Sequence, residues 1–312
     1  MKVRWFFIRI FPSIWQTYGI FMTTEFSFPS FAQLYPNEKR RLKRLREALR
    51  YAGRTLLYRK QCQQLVAFLN TNPLWAEFFN QNLYRTNSLL YAYCDKTFNA
   101  EQRLNAISQH FLLAEEKWGV DFCQKLVTQK SVVLSQLTEQ LSLQLNLNQI
   151  DPLEGFFSLN IYDNESQRSV YDASFSFLSP NQILIASIQG PKGEVAQDLV
   201  RTATKQLHGI RPMFMIVNAF KMLATQSDCE LIGIAHKRQA KYRWNDSKRL
   251  IFNYDEFWQE NNGTLNAKGY WQLPLSIERK PLEEIQSKKR SMYRKRYEML
   301  DQLEAELAKR FE

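Results

Sequence analysis

Five consecutive short segments constrain the fold more than any other feature of the chain. Ser131–Thr138, Leu141–Asn148, Phe156–Tyr162, Val170–Leu178 and Ile183–Gln189 alternate or run apolar over strand-like lengths. Asp163-Asn164-Glu165 and Ser179-Pro180-Asn181 separate the later ones with turn chemistry. Strands joined by such tight turns pair antiparallel, so the pattern predicts a β-meander.

Helical periodicity flanks this block on both sides. In Asn37–Asn70, Leu42, Leu45, Leu49, Ala52 and Leu56 recur at three- and four-residue steps, with Asn37 as the expected cap. Two further helical patches are expected near Leu74–Tyr93 and Glu101–Leu126. Beyond the meander come a helix at Glu194–Gln206 and a second that begins at Pro212, a residue favoured at the first helical position. A buried strand is expected at Leu231–His236, a short helix at Tyr254–Glu260 and a short strand at Trp271–Leu275. The chain closes on a charged helix, Ser287–Arg310, with Tyr293, Tyr297, Leu300, Leu303 and Leu307 along its apolar stripe.

The expected fold class is therefore α+β: a helical N-terminal region packed on a mainly antiparallel central sheet with flanking helices. Residues 1–22 form an N-terminal segment of their own, 23–130 the helical region and 131–312 the α/β domain. Of the 312 residues 45% are hydrophobic, which supplies a core and excludes a disordered chain. Met1–Phe21 is basic and aromatic, but Arg9 and Pro12 interrupt it and no small-residue cleavage site precedes Met22. It reads as a weakly membrane-associating segment, as an ordinary helix, or as sequence upstream of a start at Met22. No stretch reaches the length of a membrane span. Cys62, Cys94, Cys123 and Cys229 form no C-x-x-C pair and read as reduced core thiols. The expected location is cytoplasmic, with at most a peripheral hold on the inner membrane.

Four segments in order resemble the VirK family. They are Gln189-Gly190-Pro191-Lys192-Gly193, Thr204 through Pro212 (Thr-Lys-Gln-Leu-His-Gly-Ile-Arg-Pro), Tyr254-Asp255-Glu256-Phe257-Trp258, and Ser287 through Tyr297. The resemblance implies a bacterial protein of unknown biochemical activity. It also implies links to virulence and to envelope or antimicrobial-peptide resistance in enteric bacteria. It carries over no catalytic residues.

The order meander, helix, strand is also that of the acetyltransferase (GNAT) fold, where a glycine-containing loop before a helix binds the pyrophosphate of an acyl-CoA. By this analogy Gln206, Gly209 and Arg211 form a candidate ligand site. Arg211 stands where that fold has Gly or Ala, and its guanidinium can grip a phosphate instead. The same residues also read as a plain turn and helix start. Gly190, Lys192 and Gly193 form a second candidate anion site; the alternative is a strand-end turn. It lacks the spacing of a nucleotide P-loop. His208 and His236 are the candidate catalytic acid–base groups, with hydrogen-bonded structural histidines as the alternative. His110, inside a helical patch, reads as structural. No motif for a metal site or a serine hydrolase occurs.

The net charge of +11 suits anionic partners. Two basic stretches concentrate it, Lys39–Arg54 and Lys288–Arg296. Either can meet an anionic membrane surface or nucleic acid. The plainer expectation is a solvated charged face whose leucine stripe docks on its own domain. The leading expectation for function is an envelope- or virulence-associated protein that binds an acyl-CoA or another phosphorylated ligand and is acyltransferase-like if it is an enzyme. The rivals are a non-enzymatic nucleic-acid-binding regulator and a membrane-surface protein.

Overall fold

The computed structural model describes residues 25–36, 40–242 and 252–311. The readings of Met1–Phe21, of a start at Met22, of the Asn37 cap and of Lys39 lie outside the described residues.

The front of the chain is helical. It comprises α1 (Phe31–Leu34), α2 (Arg41–Leu57), α3 (Arg59–Thr71), α4 (Pro73–Gln81), α5 (Asn87–Leu90), α6 (Ala100–Trp118) and α7 (Val120–Gln129). The long helix expected over 37–70 is two helices, broken where Tyr58 leaves helical geometry (φ −104°, ψ 25°). The patch over 101–126 is likewise two, because Gly119 sits at φ +80°, which stops a helix and suits glycine.

The meander follows as expected: β1 (Ser131–Gln136), β2 (Leu141–Leu147), β3 (Phe157–Asp163), β4 (Arg168–Leu178) and β5 (Gln182–Gln189). Two helices, α8 (Ala196–Gln206) and α9 (Pro212–Gln226), then return the chain to β6 (Glu230–Gly233). This crossover makes β6 parallel to β5, while every other pairing is antiparallel. The remaining elements are α10 (Tyr254–Glu260), β7 (Thr264–Leu265), β8 (Trp271–Leu273) and α11 (Ser287–Phe311). One eight-stranded sheet results, in the order β1-β2-β3-β4-β5-β6-β8-β7. The fold is α+β.

Alternation along the strands gives the meander two unlike faces. Leu141, Leu143, Leu145, Leu159, Ile161, Ala173 and Phe175 share one, and α9 packs there through Phe220, 5.2 Å from Phe175 between ring centroids. The other face carries Ser142, Gln144, Asn146, Ser158, Asn160, Asp172, Ser174, Ser187 and Gln189. At one end of the sheet the front helices form an aromatic cluster. Trp75 stacks on Phe111 at 4.3 Å, and Phe78, Phe79 and Phe156 close around them. His110 is wholly buried there. Its Nδ1 accepts the Phe177 N–H at 3.0 Å, and burial lowers its pKa to about 3, so it is neutral and structural, as expected. All four cysteines are buried free thiols.

One expectation about packing fails. The leucine stripe of α2 does not dock on the protein. Leu42, Leu45, Leu49 and Leu56 are 59–85% exposed, and the helix is held from its opposite side by buried Tyr51.

Candidate functional site

The chemistry concentrates where β5 and β6 part. Their parallel pairing runs from Gln182↔Glu230 to Ile185↔Gly233, and the last link is Ile234 N–H to the Ile185 carbonyl at 3.0 Å. At that point β5 carries one extra residue. Ser174 faces Ser187 while Phe175 faces Ile185, which leaves Ala186 as a bulge. A bulge bends its strand, and this one ends the pairing with β6. The backbone of Ile188 therefore has no strand beside it on that edge. Its N–H donates to the Tyr254 hydroxyl at 2.8 Å, and that hydroxyl donates to the Ile188 carbonyl at 3.1 Å. Tyr254 thus takes the place of a neighbouring strand at this edge.

Polar side chains collect beside this edge. Glu154 is 4% exposed. It accepts from Gln189 Nε2 at 2.9 Å and lies 3.2 Å from Lys241 Nζ, which also reaches Asp151 at 3.1 Å. Burial holds the Glu154 carboxyl above its ordinary range, and Lys241 only partly offsets this. For Lys241 burial acts downward, but Glu154 and Asp151 together raise its pKa. Glu154 does most to keep Lys241 charged, and Asp151 adds to it.

Asp172 extends the cluster across the sheet, directly opposite Gln189. It accepts from Ser158 Oγ at 3.1 Å and Asn160 Nδ2 at 3.2 Å. Burial raises its pKa to about 6, against the pull of those two donors. A carboxylate that titrates near neutrality is suited to proton transfer, and such groups concentrate at functional sites.

The residues singled out from sequence fall in three places. Gly190, Lys192 and Gly193 follow the free end of β5 and lead into α8. Gly190 lies so close to the Tyr171 ring that a Cβ would sit 3.0 Å from it. Gly193 has φ +94°, Lys192 is exposed, and Val195 caps α8 without a side-chain bond, which leaves N–H groups open at the helix start. Gln206, His208, Gly209 and Arg211 lie at the other end of α8. There Gln206 hydrogen-bonds Gln140, and the His208 carbonyl accepts from Arg296 Nη2 at 2.8 Å. Burial and then Lys295 and Arg296 lower the His208 pKa. Arg211 is the exposed N-cap of α9, at a groove shared with Tyr293 and Tyr297 of α11. His236 lies three residues beyond β6, not at the end of a longer strand. Its N–H donates to Asp255 Oδ1 at 2.9 Å, and its ring is 6.3 Å from Tyr254 between centroids.

Of the two histidines, then, only His236 neighbours this edge, through Tyr254. Sequence reading missed Glu154, Asp172, Lys241 and Tyr254. Part of the signal was present: polar residues at every second position of β3 and β4 mark one face as polar. Only the pairing shows that this face is buried. Beside the cluster, Phe31, Tyr35, Tyr84, Tyr91 and Leu153 line a cavity of about 230 Å³, with Lys43 and Glu47 of α2 at its wall. Among the described residues no group of three or more His, Cys, Asp or Glu could hold a metal ion, and no helix is long and apolar enough to cross a membrane.

No solved structure matches this chain. Curated relatives do. An uncharacterized protein of Haemophilus influenzae is 59% identical over 280 residues, covering 89% of this chain and 96% of its own. A second uncharacterized protein of that organism is 33% identical over 91% of this chain and 96% of its own. A protein named "Membrane protein LapB" from Mannheimia haemolytica is 29% identical over 70% of this chain and 96% of its own. The family model described as "Protein of unknown function (DUF535)" matches residues 40–309, and the chain belongs to that family.

Proposed function

We propose that this protein binds an acyl-CoA at the parting of β5 and β6 and transfers the acyl group in envelope metabolism. The single observation that carries the reading is the bulge at Ala186, which parts β5 from β6 beside a buried acid cluster. An extended ligand that carries amides, as the pantetheine arm of CoA does, pairs with a strand edge that its neighbour has left. Meander, helical crossover and parting parallel strand also follow the order of the acetyltransferase fold, which is an analogy of fold.

In this reading the arm runs outward from the Tyr254 hydroxyl along β5. Its phosphates meet Lys192 and the open N–H groups at the start of α8. Asp172 takes the proton of an acceptor amine or hydroxyl as that atom bonds to the thioester carbonyl. The C–S bond breaks, and the proton returns to the departing thiolate. Glu154 and Lys241 hold Gln189 and the polar face in register. The name of the Mannheimia relative, a membrane protein, and the VirK resemblance support the envelope setting.

A thermal-shift screen tests the reading. Acetyl-CoA, a long-chain acyl-CoA and free CoA are each added to the purified protein. A ligand at about 100 times its Kd stabilises by roughly 2.7 kcal/mol, which is a shift of a few degrees for a chain of this size. At least one of the three is expected to give that shift; a flat response to all would overturn the proposal.

A further inference from the structure

The exposed leucines of α2 have a consequence of their own. At 3.6 residues per turn, Leu42, Leu45, Leu49, Ala52, Gly53 and Leu56 fall within an arc of roughly 100°. That arc lies opposite Tyr51, which is buried. The four leucines span roughly 20 Å along the helix. Exposed apolar side chains are ordinary when scattered, but a continuous stripe on a well-anchored helix marks a contact surface.

Charge identifies the partner. The helix carries Arg41, Lys43, Arg44, Arg46, Arg50 and Arg54 against a single acid, Glu47. Arg46 and Arg50 both pair with Glu47, at 3.4 and 3.0 Å, which leaves the helix strongly cationic. Arg41 and Arg46 stand on the two sides of the leucine arc. An apolar strip between arginines matches an anionic bilayer, whose acyl chains take the leucines while the headgroups take the guanidinium groups. Lys43 and Glu47 of the same helix line the aromatic cavity beside the Glu154 cluster.

We infer that α2 is a membrane-docking helix that lays Leu42, Leu45, Leu49 and Leu56 into the surface of an anionic bilayer. The helix stays in the plane of the interface and does not span it. No acyl donor is required, so failure of docking and failure of the acyl-CoA reading are separate results.

The full chain is sedimented with vesicles of phosphatidylcholine alone and of phosphatidylcholine with about one third phosphatidylglycerol. The expected result is capture by the anionic vesicles only, falling as salt rises past the physiological range. The double variant Leu45→Asn, Leu49→Asn removes only exposed side chains and should melt as the parent does. It is expected to bind the anionic vesicles at least about tenfold more weakly. Equal capture by both vesicles, or none by either, would overturn the inference. So would full binding by the leucine variant, since attraction would then come from bulk charge or from the basic stretch Lys288–Arg296. A partner protein in place of lipid would show itself as no capture by either vesicle.

Discussion

Replacing Asp172 by asparagine is expected to stabilise the protein by about 2–3 kcal/mol at pH 8. The aspartate is 8% exposed, and burial lifts its pKa from 3.8 to about 6. The folded state therefore binds a proton more tightly than the unfolded chain. Asp172 favours the fold when protonated, below about pH 4, and that advantage is lost as pH rises through about 6. Above it the folded protein holds a desolvated carboxylate. Asparagine keeps an oxygen to accept from Ser158 and Asn160 and carries no charge. The gain should be present at pH 8 and absent at pH 4, measured by urea unfolding at both. Equal or lower stability of the variant at pH 8 would show that this site carries no such cost. A charge kept at such a cost at neutral pH is what a proton-transferring group requires.

Asp95→Ala is expected to act in the opposite direction, with a loss of roughly 3–5 kcal/mol. Asp95 is wholly buried, 2.6 Å from Arg238 Nη2, and accepts the Tyr270 hydroxyl at 2.7 Å. It also accepts the Thr97 N–H at 2.8 Å and the Thr97 hydroxyl at 2.7 Å. These bonds tie the front helical region to segments more than 140 residues later. Alanine would leave a guanidinium and a phenol without their acceptor in a partly buried place. Chemical denaturation measures the loss, and Asp95→Asn, which keeps an acceptor, should lose less. A change under about 1 kcal/mol for alanine would mean that the ion pair is not what joins the two parts.

Much of this architecture was legible in the residues. Alternation and turn chemistry gave all five strands of the meander, because side chains of a strand alternate between its two faces. The short helix Tyr254–Glu260 was expected within its observed bounds, and the structure shows Asn253 capping it with Asp255 and Glu256 in its first turn. The break at Tyr58 was not legible, for neither Gly nor Pro stands there. Nor was β7, whose two residues are too few for any period.

The site itself was hardest to see. Glu154, Asp172, Gln189, Lys241 and Tyr254 come from separate stretches of chain. What gathers them is the bulge at Ala186, and an inserted residue in a run of Ile, Leu and Ala leaves no compositional mark. The two glycine-containing loops looked alike in sequence. Only the topology distinguishes the one after β5, at the parting from β6, from the one between α8 and α9. The α2 leucines show the complementary limit. Periodicity reveals that a helix has an apolar face, but not what that face meets. Here Tyr51 and its neighbours hold the helix, and the leucines point outward.

The most direct test of the central claim is a calorimetric titration of CoA into the protein and into two charge reversals, Lys192→Glu and Arg211→Glu. Both side chains are exposed, so both variants should fold. If the ligand's phosphates rest at the end of β5, Lys192→Glu weakens binding about tenfold or more while Arg211→Glu binds as the parent does. The reverse pattern, or binding by the parent that neither reversal weakens, would contradict a site at the parting of β5 and β6.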